Sequence, residues 1–155
     1  MKFLSTALGL LLILSACSSS SDFELNQENV KALIDSVELA TKNRNAEGVV
    51  SHFTDDAVIS INMPSDMGGN QVWNLSEYKT MLEKGWAVPV SYTHELKDIE
   101  ITIHDANNAF VTDTVVEEII MNGSVVMSTR TDEETVVVVE DGRAKIKSVT
   151  GRMSM

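Results

Sequence analysis

The sequence predicts a single α+β domain in which helices precede a long antiparallel sheet. Apolar residues recur at helical spacing in the first part of the chain, up to about Gly85. After Pro89, β-branched residues dominate and turn signals recur at short intervals. With 155 residues, 43% of them hydrophobic and 23% charged, the chain is long enough for one hydrophobic core, and no internal repeat suggests a second domain.

The first sixteen residues have the layout of a secretory signal peptide. Lys2 is followed by fourteen uncharged residues, with an apolar stretch from Ala7 to Leu14 at their centre. A membrane-spanning helix needs about 18 or more consecutive apolar residues, and serine and threonine residues interrupt this run. We therefore expect residues 1–16 to be a signal peptide that is removed.

The only cysteine lies where this leader ends, so it has no partner for an internal disulfide. Leu14, Ser15, Ala16 and Cys17 resemble the lipobox of bacterial lipoproteins, in which cleavage before the cysteine exposes it for acylation. The resemblance implies a lipid anchor on Cys17 and thus a membrane as partner. Acyl chains hold a protein to a membrane because each methylene buried in the bilayer contributes about 0.8 kcal/mol to binding. The alternative is a free cysteine beside a conventional cleavage site.

The residues after the signal peptide predict the cellular location of the domain. Residues 17–25 would form the lipidated cysteine and a flexible tether, because four serines cannot bury apolar surface. The expected location is the cell envelope, with the domain anchored to a membrane by its lipid. By resemblance, Ser18 is not the acidic residue that retains a lipoprotein in the inner membrane. In a Gram-negative cell this implies the outer membrane, with the domain facing the periplasm.

Charge and motif content exclude several function classes. The formal net charge is −11, and it becomes −12 when Lys2 leaves with the signal peptide, so nucleic acid is not an expected partner. The sequence contains no phosphate-binding glycine loop, nucleophile elbow or Cys-His arrangement. Its three histidines are scattered, which argues against a metal site. We predict no cofactor and no metal.

The domain itself is predicted to span residues 26–155 and to begin with helices. A first amphipathic helix follows from the apolar spacing between Asn26 and Asn43, and a second, short helix follows Asn45 as its N-cap. The next elements are a strand at 57–62, a loop at 63–70, and a third helix from about Ser76 to Gly85. Gly85 would supply a left-handed cap.

The rest of the chain predicts a four-stranded antiparallel meander whose two-residue turns set the register. A turn at Asn122-Gly123 places Ile120 opposite Val125 and Glu118 opposite Met127. The resulting apolar face carries Val116, Ile120, Val125, Met127, Val137, Val139, Ala144 and Ile146. The opposite, charged face collects Asp113, Glu117, Arg130, Asp132, Glu134, Lys145 and Lys147.

A second turn, at Asp141-Gly142, places Val139 opposite Ala144 and Val137 opposite Ile146. The two hairpins therefore agree on which face of the sheet is apolar.

The strand after Pro89 changes parity, since Ile99, Ile101 and Ile103 alternate out of step with Tyr92, His94 and Leu96. A β-bulge near Lys97-Asp98 would return all six to the core face. With that bulge and a four-residue turn, Ile103 faces Phe110, Leu96 faces Val116, and His94 faces Glu118.

This order of elements resembles the nuclear transport factor 2-like superfamily, including its SnoaL-like members. The resemblance spans most of residues 26–152 and rests on stretches such as 53–58 and the final Asp-Gly hairpin. It implies a cone of three N-terminal helices packed on a curved, mainly antiparallel sheet around a pocket, with homodimers formed through the sheet. The fold supports isomerases, hydrolases and inert binding modules, so it does not decide activity.

Glu118 is the leading candidate for chemistry, because the predicted register puts its carboxylate among apolar residues, where an unpaired charge is costly. His94 would lie opposite and complete an acid/base pair, and Tyr92 would act as an orienting donor. The alternatives are a purely structural hydrogen-bonded pair or a Glu118 at the wet rim. The expected lining of the pocket includes four further side chains, namely Trp73, Trp86, Thr129 and Thr131.

Three functions remain open at this point. The first is a lipid-anchored envelope domain that binds a small apolar or amphipathic ligand, or a protein partner, without catalysis. The second is a SnoaL-like isomerase or hydrolase that uses Glu118 and His94. The third is a structural homodimer module whose interior is filled.

Overall fold

The computed structural model describes residues 23–155, which form one six-stranded sheet and three α-helices. The predicted signal peptide, Cys17 and most of the predicted tether lie outside the described residues. Within residues 23–155, no helix is both long enough and apolar enough to cross a membrane. The core already includes Leu25, which the sequence assigned to the end of the tether: Leu25 is buried, and its backbone N–H donates to the Ala106 carbonyl at 2.8 Å.

All three helices begin at an asparagine cap, and the cap of the second helix, Asn45, is as predicted. Their bounds are α1, Gln27–Lys42; α2, Ala46–Val50; and α3, Leu75–Trp86. Asn26 caps α1 in a reciprocal box with Asn29, each side chain accepting from the other's backbone N–H at 3.0 Å. Asn45 caps α2 by accepting from the Gly48 N–H. These bonds satisfy backbone donors that the first turn of a helix leaves free.

Two elements in this region, α3 and the first strand, have other bounds than predicted. The helix α3 continues past Gly85, because the Ala87 N–H still donates to the Glu83 carbonyl, and Gly85 is not in a left-handed conformation. The first strand, β1, is longer than predicted and spans Phe53–Asn62.

The predicted loop after Asn62 contains a short 3₁₀ turn, Ser65–Met67, and runs into an unpredicted strand, β2, Asn70–Asn74. Gly68 and Gly69 take positive φ angles of 113° and 68°, which let the chain turn back so that β2 pairs with β1.

The sheet has the strand order β2-β1-β6-β5-β4-β3. Its remaining strands are β3, Ser91–Ile103; β4, Asn108–Met121; β5, Ser124–Glu140; and β6, Arg143–Ser154. The predicted meander is confirmed, since β3 to β6 pair with their sequence neighbours in antiparallel fashion. The sheet is mainly antiparallel, and β1 joins it by pairing in parallel with β6.

Both predicted two-residue turns are present. Asn122 and Gly123 have φ angles of 52° and 79°, and Asp141 and Gly142 have φ angles of 52° and 69°. Positive φ at both central residues is the geometry whose twist matches the flanking strands.

The register around the second turn is as predicted, since Val139 pairs with Ala144 and Val137 pairs with Ile146.

The register around the first turn is correct only next to the turn. Ile120 pairs with Val125, but an irregularity between Ile119 and Ile120 then places Ile119 opposite Met127. The predicted pairing of Glu118 with Met127 is wrong, and Glu118 pairs with Ser128. An extra residue in one strand reverses the facing of all later side chains. The predicted apolar face is therefore wrong at Val116 and Ile120, which lie on the same side of β4 as Glu118, and at Val125, which is 52% exposed.

The bulge predicted in β3 is confirmed, because the register shifts between Lys97 and Glu100, where Asp98 has a φ of 52°. It returns five of the six predicted side chains to the core face, whereas Ile99 is 37% exposed.

The pairing of β3 with β4 differs from the prediction by one residue. Ile103 pairs with Ala109, Leu96 with Val115, and His94 with Glu117. The turn between these strands has three residues, 105–107, where four were predicted, because the His104 N–H donates to the Asn108 carbonyl. Residues of β4 that the sequence assigned to the outer face therefore point inward.

The core lies between the helices and the inner face of the sheet. Buried side chains from α1, α2 and every strand except β2 and β3 meet there, namely Val30, Leu33, Ile34, Val49, Phe53, Ile59, Val111, Val137, Ile146 and Val149. Part of the space enclosed by these elements is left open as a cavity.

Candidate functional site

A cavity of about 400 Å³ lies between α1, α3 and the inner face of the sheet. Its volume falls in the range of about 300–1,000 Å³ that small-molecule sites occupy. Apolar and aromatic side chains form most of its wall, among them Ile34, Phe53, Ile59, Trp73, Met81, Leu82, Trp86, Val115, Ile119 and Met127. The polar part of the wall includes Tyr92, His94, Asp113, Glu117, Thr129, Thr131, Glu133 and Thr135.

Tyr92, His94 and Glu117 form one hydrogen-bonded cluster in this wall. The Tyr92 hydroxyl donates to Glu117 Oε1 at 2.5 Å, and His94 Nδ1 lies 3.2 Å from the same oxygen. The Tyr92 hydroxyl and His94 Nδ1 are also 3.2 Å apart. Two strands position these groups, because Tyr92 and His94 are inward-facing neighbours on β3 and His94 pairs with Glu117 on β4.

The structure thus replaces Glu118 by Glu117 as the partner of His94. Glu118 does not line the cavity, because its side chain points to the opposite face from that of Glu117. The sequence-based prediction assigned Glu117 to the charged outer face. That assignment is wrong because the pairing of β3 with β4 is shifted by one residue from the predicted register. A signal was present in the sequence: Val111, Val115 and Ile119 share the parity of Glu117 and mark the apolar face of β4.

The surroundings of Glu117 favour its ionised form. Burial alone would raise its pKa, but the hydrogen bonds from His94 and Tyr92, together with the charge of His94, outweigh burial and lower the pKa below its ordinary value. Burial and the adjacent Glu117 charge raise the pKa of Tyr92, so its hydroxyl remains protonated. At neutral pH the cluster therefore combines a carboxylate with a phenol that donates to it.

Asp113 and Glu133 are two further acidic groups in the cavity wall. They lie opposite each other on β4 and β5. Asp113 is 8% exposed, and its Oδ1 is buried without a hydrogen-bond partner. Burial raises the pKa of Asp113 to about 6, although the charge of His94 opposes the rise. Burial, followed by the charges of Asp113 and Glu117, raises the pKa of Glu133 to about 8.

Neither of these groups was predicted as a site residue, and Asp113 was placed on the charged outer face. That placement is wrong, because the one-residue change in the β3–β4 register turns Asp113 inward together with Glu117.

Gly151 on β6 gives Glu133 its space. The two residues pair across β5 and β6, and a Cβ built on Gly151 would lie 2.7 Å from Ile61 Cδ1 and 2.9 Å from Thr131 Cγ2. The same Cβ would be 3.5 Å from Glu133 Cγ. A side chain at this position would press on the acidic part of the cavity wall.

The four residues predicted to line the pocket all line the cavity. Trp73 lies on β2, Trp86 ends α3, and Thr129 and Thr131 are buried on β5. Cys17 lies outside the described residues.

Arg44, which the sequence did not single out, contributes a positive charge to the wall. Its guanidinium lies 5.7 Å from the centre of the Tyr92 ring and donates to the carbonyls of Trp86 and Val90.

No set of three His, Cys, Asp or Glu side chains within residues 23–155 is arranged to hold a metal ion.

Comparison with known proteins identifies the fold. No protein-family model matches the chain, and no curated protein matches it. Solved structures do match. The beta subunit of the benzoate 1,2-dioxygenase from Burkholderia mallei is 12% identical, with a TM-score of 0.68 over 84% of this chain and 91% of that chain. A protein of unknown function from Silicibacter pomeroyi, described as NTF-2 like, is 14% identical, with a TM-score of 0.56 over 82% of this chain and 94% of that chain. The chain has the nuclear transport factor 2-like fold.

The fold includes both enzymes and subunits of larger enzymes. A hexachlorocyclohexane dehydrochlorinase from Novosphingobium barchaimii is 14% identical, with a TM-score of 0.64 over 83% of this chain and 86% of that chain. At these identities the nuclear transport factor 2-like fold is shared, but an activity is not transferred. The function must be argued from the cavity of this chain.

Proposed function

We propose that this protein is a lipid-anchored envelope protein whose nuclear transport factor 2-like domain binds a small, largely apolar molecule that carries a polar group. The cavity supports this proposal, because apolar and aromatic walls lead to a compact group of polar side chains on β3, β4 and β5. An apolar wall with a few convergent polar groups is the usual composition of a ligand site. In this proposal the ligand is bound without being transformed.

The anchor and the arrangement of the domain are part of the same proposal. The lipobox-like residues that end at Cys17 support acylation and an envelope location, which in a Gram-negative cell is the outer membrane. The conical packing of the helices on the sheet, and a homodimer formed through the sheet, follow from the resemblance stated above.

Native mass spectrometry of the whole protein, purified gently from its own host, tests both parts. We expect an intact mass that includes acyl chains on Cys17, and an additional small molecule that is released on unfolding. Cys17→Ala would abolish the acyl mass and membrane association, whereas the matched variant Ser18→Ala would keep both. Protein that is consistently empty would contradict ligand binding, and an unmodified Cys17 would contradict the anchor.

Acid–base catalysis is a second candidate, favoured by the convergence of Tyr92 and His94 on one oxygen of Glu117. If Nδ1 of His94 donates to Glu117, the neutral ring has its lone pair on Nε2, which accepts a proton from the substrate. The Glu117 carboxylate then stabilises the imidazolium that forms. In an isomerisation the proton returns from His94 to another atom of the same molecule, and in an elimination it leaves with the departing group, so neither reaction needs a further reactant.

Turnover of the retained molecule distinguishes the two candidates. Under the catalytic candidate, wild-type protein converts this molecule to a product that chromatography with mass detection resolves, and Glu117→Gln slows the conversion by about 10²–10⁴-fold. Glu118→Gln is the matched control, because it changes the neighbouring carboxylate on the other face of the sheet. A retained molecule that stays unchanged in the wild type would support binding without catalysis.

A further inference from the structure

Building on the proposed small-molecule function, we infer that the cavity selects a small organic cation, namely an amine or quaternary ammonium with an apolar body, which is held by Asp113, Glu117 and Glu133. All three carboxyl groups enter the same cavity from β4 and β5. The ligand's apolar body would occupy the aromatic and aliphatic part of the wall. Its cationic group would lie against the carboxyl groups.

The unpartnered oxygen of Asp113 points to a missing donor. Asp113 is buried, lines the cavity, and has no hydrogen bond to its Oδ1. A buried polar atom without a partner costs about 1–3 kcal/mol, and more when the group is charged. A ligand that donates an N–H or presents a positive charge at this point would remove that cost.

Two of the three acids, Asp113 and Glu133, lack an ion-pair partner in the part of the chain that the structure describes. Arg44, also in the wall, is hydrogen-bonded to two backbone carbonyls, and His94 contacts Glu117. Burial raises the pKa of both Asp113 and Glu133; the charge of His94 opposes the rise at Asp113, and the charges of Asp113 and Glu117 add to the rise at Glu133.

The aromatic side chains of the wall suit a cation as well. Trp73, Tyr78, Trp86 and Tyr92 all line the cavity. The faces of aromatic rings attract ammonium groups, most strongly where water is excluded. A ligand anion would lie in the same space as the ionised Glu117 carboxylate, and repulsion would disfavour it.

Three probes with one phenylbutyl body test the inference: 4-phenylbutylamine, 4-phenylbutanol and 4-phenylbutanoate. Each is titrated into the whole purified protein, and binding is followed by calorimetry and by tryptophan fluorescence, since both tryptophans of the chain line the cavity. We expect the amine to bind at least about tenfold more tightly than the alcohol, and the carboxylate to bind most weakly.

Glu133→Gln and Asp113→Asn should each weaken amine binding by about tenfold while leaving alcohol binding unchanged. Glu134→Gln is the matched control, because Glu134 is exposed on the other face of β5. Circular dichroism identifies any variant that fails to fold, and the remaining acidic variant then decides the result. Equal affinity for the amine and the alcohol would overturn the cation inference but keep the small-molecule pocket. Failure of all three probes to bind, with no molecule retained from the host, would overturn the pocket itself.

Discussion

Asp113 and Glu133 face each other across β4 and β5, and both carboxyl groups enter one largely apolar cavity. Side chains at directly opposed positions of an antiparallel pair are close neighbours, so two like charges there repel. Each also pays for burial, and together these effects raise the pKa of Glu133 to about 8. A protein that keeps such a pair has either a ligand or a proton to offset the charge.

The pair predicts that unfolding free energy falls with increasing pH. Between its ordinary pKa of 4.5 and the folded value of about 8, Glu133 binds more protons in the folded than in the unfolded state. Stability contributed by the proton is therefore present below about pH 4.5 and is lost as pH rises to about 8, by at most about 1.4 kcal/mol per pH unit. Asp113 acts in the same direction between 3.8 and about 6.

Urea denaturation of wild type, Glu133→Gln and Glu134→Gln across this range measures the effect. The Glu133 variant should lose much less stability with rising pH than the wild type, and Glu134→Gln should follow the wild type. Parallel curves for all three proteins would refute a Glu133 that stays protonated in the folded state.

Glu117 predicts the opposite pH dependence. Because its folded pKa is lowered, its hydrogen bonds with Tyr92 and His94 contribute stability above the ordinary pKa of 4.5, and this contribution disappears as pH falls below that value. We expect Glu117→Gln to cost about 1–2 kcal/mol at neutral pH, since partial exposure screens a charge-assisted bond. Thermal and urea unfolding at neutral and acidic pH measure it, with Glu118→Gln as the control. A larger loss in the Glu118 variant would mean that the register of β4 is wrong.

Gly151 predicts a steric effect at the cavity wall. Ala at this position would bring its Cβ to 2.7 Å from Ile61 Cδ1 and 2.9 Å from Thr131 Cγ2, so these side chains must move. Overpacking of this kind costs about 1–3 kcal/mol. Thr150→Ala changes the adjacent, exposed residue and should have little effect. Denaturant midpoints of the two variants test the contrast, which disappears if Gly151 does not face the interior.

The start of α3 predicts a capping effect. Asn74 accepts from the Glu77 N–H, and the Glu77 side chain accepts from the Asn74 N–H, both at 3.0 Å. Asn74→Ala should lower unfolding free energy by about 0.5–2 kcal/mol. Ser76 is exposed and lies in the first turn of the same helix. Ser76→Ala should therefore change the unfolding free energy by less than about 0.5 kcal/mol. Similar losses in the two variants would show that the asparagine cap is not the source of the stability.

Local signals in the sequence determined the helices α1 and α2, both hairpin turns and the bulge of β3. Each depends on a short-range requirement: an asparagine oxygen that accepts from a nearby N–H, or positive φ at Asn122-Gly123 and Asp141-Gly142. The apolar periodicity of residues 26–43 and the parity change around Lys97 are equally local.

Only the tertiary structure decided which face β4 turns inward, and therefore which glutamate meets His94. A turn at 105–107 that is one residue shorter than predicted and an irregularity beside Ile119 both shift the pairing of the strand by one residue. Since side chains alternate with period two, a shift of one residue exchanges Glu118 for Glu117 and turns Asp113 into the cavity. The pairing of β2 with β1 and of β1 with β6 likewise depends on contacts between distant parts of the chain. The fold class follows from local periodicity, whereas the composition of the cavity depends on register, which is set by the packing of the whole sheet.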